Sequence, residues 1–300
     1  MSQQDNPAVE ITEDLLRGWP LPRHENGDDK EGRGRIYVVG GSPEIPGAIL
    51  LAALAALRAG AGQLKIATAQ SAAVGIGIAV PEAWVVSLCE SPGGGLDPAC
   101  AEELVRDANN ADAVLFGPGM TDPEATNALL HAVVPQIAGP TVVLDAAPLA
   151  CLGDAPALLH GLNGSVVVTP HAGEMAQILS RPKEAIKADP EAAAREAAER
   201  LRAVVAMKGG ETYIAAPDGR VYVNRRGSIG LAISGSGDTL AGIIAGLAAR
   251  GADPVQATVW GVFLHARAGE VLADRIGPLG FLARELLAEI PALLHELSAG

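Results

Sequence analysis

The sequence is 300 residues long, is 49% hydrophobic and carries a formal net charge of −13. These values are typical of a globular enzyme with a large core. The acidic balance argues against nucleic acid as a partner, because binding to its phosphates needs a basic surface. No apolar run is long enough to span a membrane, and the polar N-terminus does not resemble a signal peptide. The three cysteines lie far apart without a CxxC pair, which predicts a reducing, cytoplasmic location.

Residues 1–34 are predicted to form a polar N-terminal extension over the surface, with HENGDDKEGRGR near its end. Residues 35–300 contain no low-complexity linker and no internal repeat. We therefore predict that they form one domain.

From residue 35, short β-rich runs alternate with helical patterns. Strands are predicted within 35–40, 62–68, 82–88, 111–119, 140–146, 164–170 and 203–210. Helices are predicted at 47–60, within 122–138, from HAGEMAQIL onward, and at 190–203. The strand runs are continuously apolar, as expected of parallel strands buried on both faces. The alternation predicts an α/β fold with a doubly wound, mainly parallel sheet and helices on both faces.

The pattern changes at residue 211. ETYIAAPDGRVYVN predicts a β-hairpin around the turn PDG. The rest of the chain is predicted to be helical, at 238–250, 254–274 and 279–297.

Six polar or glycine-bearing turns follow predicted strands. They are GGSPEIPGA (40–48), GPGMT (117–121), DAAPL (145–149), TPHAGE (169–174), KGGET (208–212) and SGSGD (234–238). In an open parallel sheet, ligands bind beyond the carboxyl ends of the strands. We therefore predict that these turns meet at one ligand-binding edge.

The turn SGSGD precedes an apolar helix. Backbone amides of Gly235, Ser236 and Gly237 are predicted to form an anion hole for a transferring phosphoryl group. Asp238 is predicted to be the general base that accepts a proton from an attacking hydroxyl. The alternative is an ordinary helix cap formed by Asp238 or Ser236. The sequence lacks both the P-loop pattern GxxxxGK[ST] and a GxGxxG after its first strand.

Other candidate residues are less specific. His171 opens a predicted helix, where a ligand contact and an ordinary surface histidine are equally compatible with the sequence. Lys208 ends an apolar strand before two glycines, which favours a ligand contact. Glu174 and Asp145 are typical of a helix start and a turn, and His265 is typical of a packed or capping helix residue.

Taken together, the motifs resemble those of the ADP-dependent NAD(P)H-hydrate dehydratases, a branch of the ribokinase-like superfamily. The resemblance covers about 34–292 and follows the family's order. It rests on VVGGSPEIPGA, FGPGM, VLDAAPL, VTPHAGEMAQIL, AMKGGETYIAAPDGRVYVN and, most closely, ISGSGDTLAGIIAGLAARGADPVQATVWGVFLHARAGE.

The resemblance implies a nicotinamide cofactor repair enzyme. Such an enzyme uses ADP, or ATP in eukaryotic members, to phosphorylate the hydroxyl of NADH or NADPH hydrate, and loss of phosphate restores the cofactor. It implies a hydrate site at Ala48, Gly119, His171 and Asp238, with Asp238 as base. It implies an adenine nucleotide site at Lys208, Gly209, Gly210, Glu211, Thr212 and Gly237. It also implies Mg²⁺, with ligands that the sequence does not identify, a homo-oligomer, and an NAD(P)H-hydrate epimerase supplied by a separate chain.

The chain departs from the family pattern at three places. Thr121 and Ala172 replace a usual glycine and a usual proline, and EIPGA lacks a common tyrosine. Two alternatives stay open. One is a ribokinase-like small-molecule kinase acting on a sugar, thiazole or pyrimidine alcohol. The other is a non-catalytic nucleotide-binding protein, against which Asp238 argues, because pure binding needs no base beside the phosphates.

Overall fold

The computed structural model describes residues 7–23, 30 and 32–298. Its strands are β1 (Val9–Glu10), β2 (Arg35–Val39), β3 (Gln63–Ala69), β4 (Ala83–Leu88), β5 (Ala113–Phe116), β6 (Thr141–Leu144), β7 (Val166–Val168), β8 (Val204–Met207), β9 (Thr212–Ala215) and β10 (Val221–Asn224). They form one sheet in the order β1-β10-β9-β8-β7-β6-β5-β2-β3-β4.

The sheet is mainly parallel. Seven strands form a continuous parallel run in the order β4, β3, β2, β5, β6, β7 and β8. Strand β9 is antiparallel to both β8 and β10. Both the predicted doubly wound sheet and the predicted late hairpin are therefore confirmed.

The helices are α1 (Glu13–Arg17), α2 (Pro46–Arg58), α3 (Gln70–Ala79), α4 (Ala101–Ala108), α5 (Pro123–Val133), α6 (Ala147–Cys151), α7 (Ala172–Leu179), α8 (Lys183–Ala188), α9 (Pro190–Leu201), α10 (Ser236–Ala249), α11 (Pro254–Ile276) and α12 (Ala283–Ser298). None of the helices described is long and apolar enough to cross a bilayer.

The sheet separates two hydrophobic cores. Along β2, Ile36 and Val38 face the core shared with α2, α10, α11 and α12. Tyr37 and Val39 face the core shared with α4, α5, α7 and α9. Successive strand side chains point to opposite faces, so a strand with helices on both sides reads as one continuous apolar run.

Helix α10 packs closely on α2 because small residues line their contact. A Cβ atom at Gly246 would lie 2.5 Å from the carbonyl oxygen of Ala56, and one at Gly242 would lie 2.8 Å from the Cβ of Ala55. This contact fixes the axis of α10 and therefore the position of its N-terminus at the sheet edge.

The structure corrects the prediction that the N-terminal segment only lies over the surface. Strand β1 pairs in parallel with β10, and Ile11 and Leu16 are buried in the core. The carbonyl of Trp19 accepts a hydrogen bond of 3.0 Å from Nε1 of Trp260. Burial of these apolar side chains stabilises the segment against the domain. Most of the polar stretch, 24–29 and 31, lies outside the described residues, and a boundary at residue 34 stays a prediction.

Two helix starts also differ from the predictions. Helix α10 begins at Ser236, two residues early, because Gly235 adopts a left-handed conformation (φ +87°) and becomes the N-cap. Helix α12 begins at Ala283 instead of residue 279. Helices α1, α3, α4, α6 and α8 were not predicted from the sequence.

Candidate active site

The six predicted turns meet in one continuous row at the carboxyl edge of the sheet. The amide of Gly41 donates to the carbonyl of Pro118 (2.7 Å), and the amide of Lys208 donates to the carbonyl of Pro170 (2.8 Å). A Cβ atom on Gly117 would collide with the carbonyl of Asp145. The close approach at Gly117 requires a residue without a side chain, as does the one at Gly40, where a Cβ atom would collide with the carbonyl oxygen of Pro118.

A cavity of about 850 Å³ opens at one end of this row. Seven of the predicted site residues line it: His171, Lys208, Gly209, Gly210, Thr212, Ser236 and Gly237. The cavity is also lined by residues after β10 and on α11, including Arg225, Arg226, Ile229 and His265. The cavity has the size of a small-molecule or cofactor site.

Lys208 is held in place by Asp145. Its Nζ donates a hydrogen bond of 2.8 Å to Oδ1 of Asp145. The same oxygen accepts a bond of 2.6 Å from the hydroxyl of the fully buried Thr169. Burial lowers the pKa of Lys208, but the charges of Asp145, Glu174 and Asp238 outweigh burial and hold this pKa above its ordinary value. Lys208 therefore stays an ammonium ion at neutral pH.

Asp238 lies in the first turn of α10, close enough to Asp145 and Lys208 that their charges shift its pKa. Burial and, next, the charge of Asp145 raise the pKa of Asp238 to about 6, although Lys208 acts in the opposite direction. A carboxylate with a pKa near the working pH is suited to proton transfer.

The start of α10 offers hydrogen-bond donors to an anion. A Cβ at Gly237 would lie 3.4 Å from Nζ of Lys208 and 3.9 Å from Oδ2 of Asp145, so Lys208 lies over the backbone of Gly237. First-turn amides have no intrahelical acceptor. The amide of Ser236, however, donates to the carbonyl of Ile233 (3.2 Å). The predicted amide of Ser236 is therefore not available to an anion, and only its hydroxyl could bind one.

His171 is the N-cap of α7. Its Nδ1 accepts hydrogen bonds of 3.0 Å from the amides of Gly173 and Glu174, and the Glu174 carboxylate accepts one of 2.7 Å from the His171 amide. Because Nδ1 is an acceptor, the proton of the neutral ring lies on Nε2. Burial raises the pKa of Glu174 against the opposing charge of Lys208. The exposed imidazole thus offers one N–H donor beside the cavity.

The family model described as NAD(P)H-hydrate dehydratase (Carb_kinase) matches residues 36–292, which include the whole row of turns. The chain belongs to this family.

Two relatives support the assignment of the chain to the NAD(P)H-hydrate dehydratase family. The ADP-dependent (S)-NAD(P)H-hydrate dehydratase of Xanthomonas campestris pv. campestris is 48% identical over 97% of this chain and 97% of its own length. A bifunctional NAD(P)H-hydrate repair enzyme Nnr from Moorella thermoacetica is 39% identical over 94% of this chain, which spans 54% of that protein.

The fold of the dehydratase family is likewise seen in a solved structure. The ADP/ATP-dependent NAD(P)H-hydrate dehydratase of Bacillus subtilis, co-crystallized with ATP/Mg²⁺, superposes with a TM-score of 0.80. Its sequence is 28% identical, and the match covers 97% of this chain and 99% of that one.

The predicted hydrate residues of this NAD(P)H-hydrate dehydratase family member occupy two places. A Cβ at Gly119 (φ +74°) would lie 3.2 Å from the Cβ of Ala48, so these two residues are neighbours where α2 begins. They do not line the 850 Å³ cavity, whereas His171 does. Asp238 and Gly235 of the predicted anion hole also do not line it, although their neighbours Ser236 and Gly237 do. Glu211 does not line it either; it is exposed and pairs with Arg225 at 3.3 Å.

The residues after β10 that line the cavity were not predicted from the sequence. Arg226 lines the cavity and forms an ion pair of 2.8 Å with Glu270. The signal available was the pair of arginines that follows the hairpin in VYVNRRG. The partnership of Asp145 with Lys208 left no such signal, because 63 residues separate them.

Proposed function

We propose that the protein is an ADP-dependent (S)-NAD(P)H-hydrate dehydratase, a lyase that repairs the nicotinamide cofactor. The observation that carries the proposal is Asp238, with its pKa raised to about 6, in the first turn of α10 and near Lys208. It joins a base, a cation and helix-terminal amides at one edge of the sheet. The relative from Xanthomonas campestris pv. campestris, with its near-complete overlap, supports the same activity.

In the first step, Asp238 accepts the proton of the hydrate hydroxyl. The hydroxyl oxygen forms a bond to the terminal phosphorus of ADP, and the bond between this phosphorus and the bridging oxygen breaks, which releases AMP. The amide of Gly237 and the ammonium of Lys208 stabilise the charge on the transferring group. In the second step, the carbon–oxygen bond to phosphate breaks and phosphate leaves the ring. The adjacent ring carbon gives its proton to solvent water, and the double bond forms between the two carbons. Phosphate is a far better leaving group than hydroxide.

Two groups of residues would bind the two substrates. Lys208, Gly209, Gly210, Thr212 and Gly237 line the cavity and are suited to the nucleotide. Ala48, Gly119 and His171 would contact the hydrate, with Asp238 between the two substrates. Glu211 would act at the rim through its pairing with Arg225. The exposed N–H of His171 is suited to a polar group of the hydrate.

Mg²⁺ fits the chemistry of this edge. Within the described part of the chain, no three His, Cys, Asp or Glu side chains converge to hold a metal ion. Mg²⁺ commonly binds through substrate phosphates, waters and one or two carboxylates. Here Oδ2 of Asp145 would contribute, because its Oδ1 already accepts from Lys208 and Thr169 and Asp238 has to stay free to accept a proton. When bound, the ion would neutralise charge on the phosphates.

Three further predictions belong to this proposal. The free state of Cys89, Cys100 and Cys151 supports a reducing, cytoplasmic location. A bifunctional repair enzyme among the relatives supports a second repair activity in the same pathway, namely epimerisation of the hydrate by an epimerase. The homo-oligomer stays a prediction from the resemblance.

The decisive experiment is the recovery of reduced-nicotinamide absorbance from NADH hydrate with ADP or ATP and Mg²⁺. We expect recovery that requires the nucleotide and slows by roughly 10²–10⁴ in Asp238→Asn. The matched control is Asp274→Asn, which changes an exposed carboxylate on α11. Folded wild-type protein that binds ADP but recovers no NADH would refute the proposal, and alcohol substrates would then test the kinase alternative.

A further inference from the structure

The first residue of α10 is paired with a histidine that the mechanism does not use. The Oγ of Ser236 lies 3.0 Å from Nε2 of His265. The two residues are only 5% and 8% exposed, and both line the cavity beside Gly237. A hydroxyl with a buried imidazole against it therefore lies at the end of the helix where the phosphoryl group would bind.

The direction of this hydrogen bond decides what Ser236 can do. Its amide already donates to Ile233, so only the hydroxyl can serve an anion. A hydroxyl has a single proton. If Ser236 donates that proton to His265, none is left for the phosphoryl oxygens. If His265 donates instead, the hydroxyl proton is free to point into the cavity.

The surroundings of His265 favour the second arrangement. Burial lowers the pKa of His265 to about 4, against a hydrogen bond with the Ser236 backbone that raises it, and the Lys208 charge acts in the same direction as burial. The ring is therefore neutral and carries one N–H. Among the residues that the structure describes, Nδ1 makes no hydrogen bond, whereas Nε2 has the Ser236 oxygen at 3.0 Å. A proton on Nδ1 would have no acceptor among these residues, whereas a proton on Nε2 has the Ser236 oxygen as its acceptor.

We propose that His265 is a positioning residue that donates its Nε2–H to Ser236 and thereby directs the Ser236 hydroxyl proton at the transferring phosphoryl group. The inference rests on the proposed function, since it assigns Ser236 a donor role in that phosphoryl transfer. No proton passes to or from His265. The pair supplies an oriented donor that needs no rearrangement as charge develops.

Four variants test whether the two residues act as one unit: Ser236→Ala, His265→Leu, His265→Gln and the double variant Ser236→Ala/His265→Leu. We expect kcat for NADH recovery to fall about a hundredfold in Ser236→Ala and in His265→Leu, with little change in KM for the nucleotide. The double variant should be no slower than either single variant. His265→Gln, which keeps an N–H donor near the position of Nε2, should restore most of the rate.

Three outcomes would overturn the proposal. They are wild-type kcat in His265→Leu, additive losses in the double variant, and a His265→Gln protein as slow as folded His265→Leu. Urea midpoints check folding. Ser236→Ala keeps the test open if His265→Leu does not fold, because alanine is well tolerated in a helix and wild-type kcat in this variant would also refute the role.

A second measurement does not depend on the reaction. The ¹⁵N chemical shifts of the His265 ring in histidine-labelled protein report which nitrogen carries the proton. We expect a protonated Nε2 and a bare Nδ1 from pH 5.5 to pH 8. A proton on Nδ1 would refute the inference whether or not the enzyme recovers NADH. Absence of recovery by the wild type would instead count against the proposed function.

Discussion

Asp238 is suited to proton transfer, but its charged form lowers the stability of the folded protein. Its pKa rises from the ordinary 3.8 to about 6, first because of burial and then because of the Asp145 charge. Between these two pH values the native state binds more protons than the unfolded state, so stability falls as the pH rises. Above about pH 7 the loss is complete and amounts to up to about 3 kcal/mol, with solvent screening reducing this value.

Asp238→Asn should therefore stabilise the protein while it slows the reaction. The asparagine has no charge to desolvate, so we expect the gain in stability to be small near pH 4 and complete above about pH 7. Urea unfolding at both pH values measures it. The exposed Asp274→Asn should change stability by less than about 0.5 kcal/mol at either pH. A gain for Asp238→Asn that is equal at both pH values would contradict the assigned pKa.

At the scale of elements, His171 has two tasks that substitution can separate. Its ring caps α7 through Nδ1 and exposes Nε2. His171→Ala loses both tasks, and we expect a destabilisation of about 0.5–2 kcal/mol together with a higher KM for the hydrate. Asparagine is a strong N-cap residue. His171→Asn should therefore keep the wild-type urea midpoint but still raise the KM for the hydrate. Wild-type KM in His171→Asn would show that His171 is only a cap.

Two glycine-to-alanine changes should have opposite effects on stability, because only Gly246 lies in the contact between α2 and α10. At Gly246 the new methyl group would lie 2.5 Å from the Ala56 carbonyl oxygen and 2.9 Å from the Cβ of Ala59. We expect Gly246→Ala to destabilise the protein by about 1–3 kcal/mol, because backbone must shift. At Gly75, inside α3, nothing lies within 4 Å of the new atom. Alanine should stabilise that helix by up to about 1 kcal/mol.

Urea midpoints of the two variants measure this difference directly. Gly75→Ala is the control for the general effect of alanine on helix propensity. Equal shifts in the same direction would mean that the α2–α10 contact relaxes without strain and does not fix the N-terminus of α10.

The elements that sequence reasoning found are those with a strong local pattern. The apolar runs of β2 and β3 and the helix α2 were placed within one or two residues. Helix α3, with the sequence QSAAVGIGIA, was missed because glycine and β-branched residues have low helix propensity. Strand β1 has only two residues and forms because β10 is beside it. No local pattern predicts such a strand.

The same limit applies to the site. Glycine turns at strand ends predicted the row that contains Lys208, Gly237 and Asp238, because those residues adjoin strongly patterned elements. The contacts of Lys208 with Asp145 and of Ser236 with His265 join residues far apart in sequence. Sheet order and helix packing create these contacts, and both are properties of the assembled fold.

At the scale of the whole molecule, an acidic protein has to bind an anionic nucleotide. The formal charge is −13, and the cations that line the cavity are already paired. Lys208 pairs with Asp145, Arg225 with Glu10 and Glu211, and Arg226 with Glu270. Net positive charge therefore does not attract the nucleotide over long distances. Its binding relies on short-range donors, namely the amides at the start of α10 and the Lys208 ammonium.

The association rate of ADP should consequently rise with salt. The Debye length shrinks from about 30 Å at 0.01 M to about 8 Å at 0.15 M ionic strength, so screening removes long-range repulsion while the short-range donors keep their effect. Stopped-flow binding of ADP across this range measures the slope, and uncharged adenosine, for which we expect no slope, is the control. An ADP association rate that falls with salt would mean that Arg225 and Arg226 produce a positive field at the cavity despite their acidic partners. These arginines, and not only the short-range donors, would then contribute to binding of the phosphates.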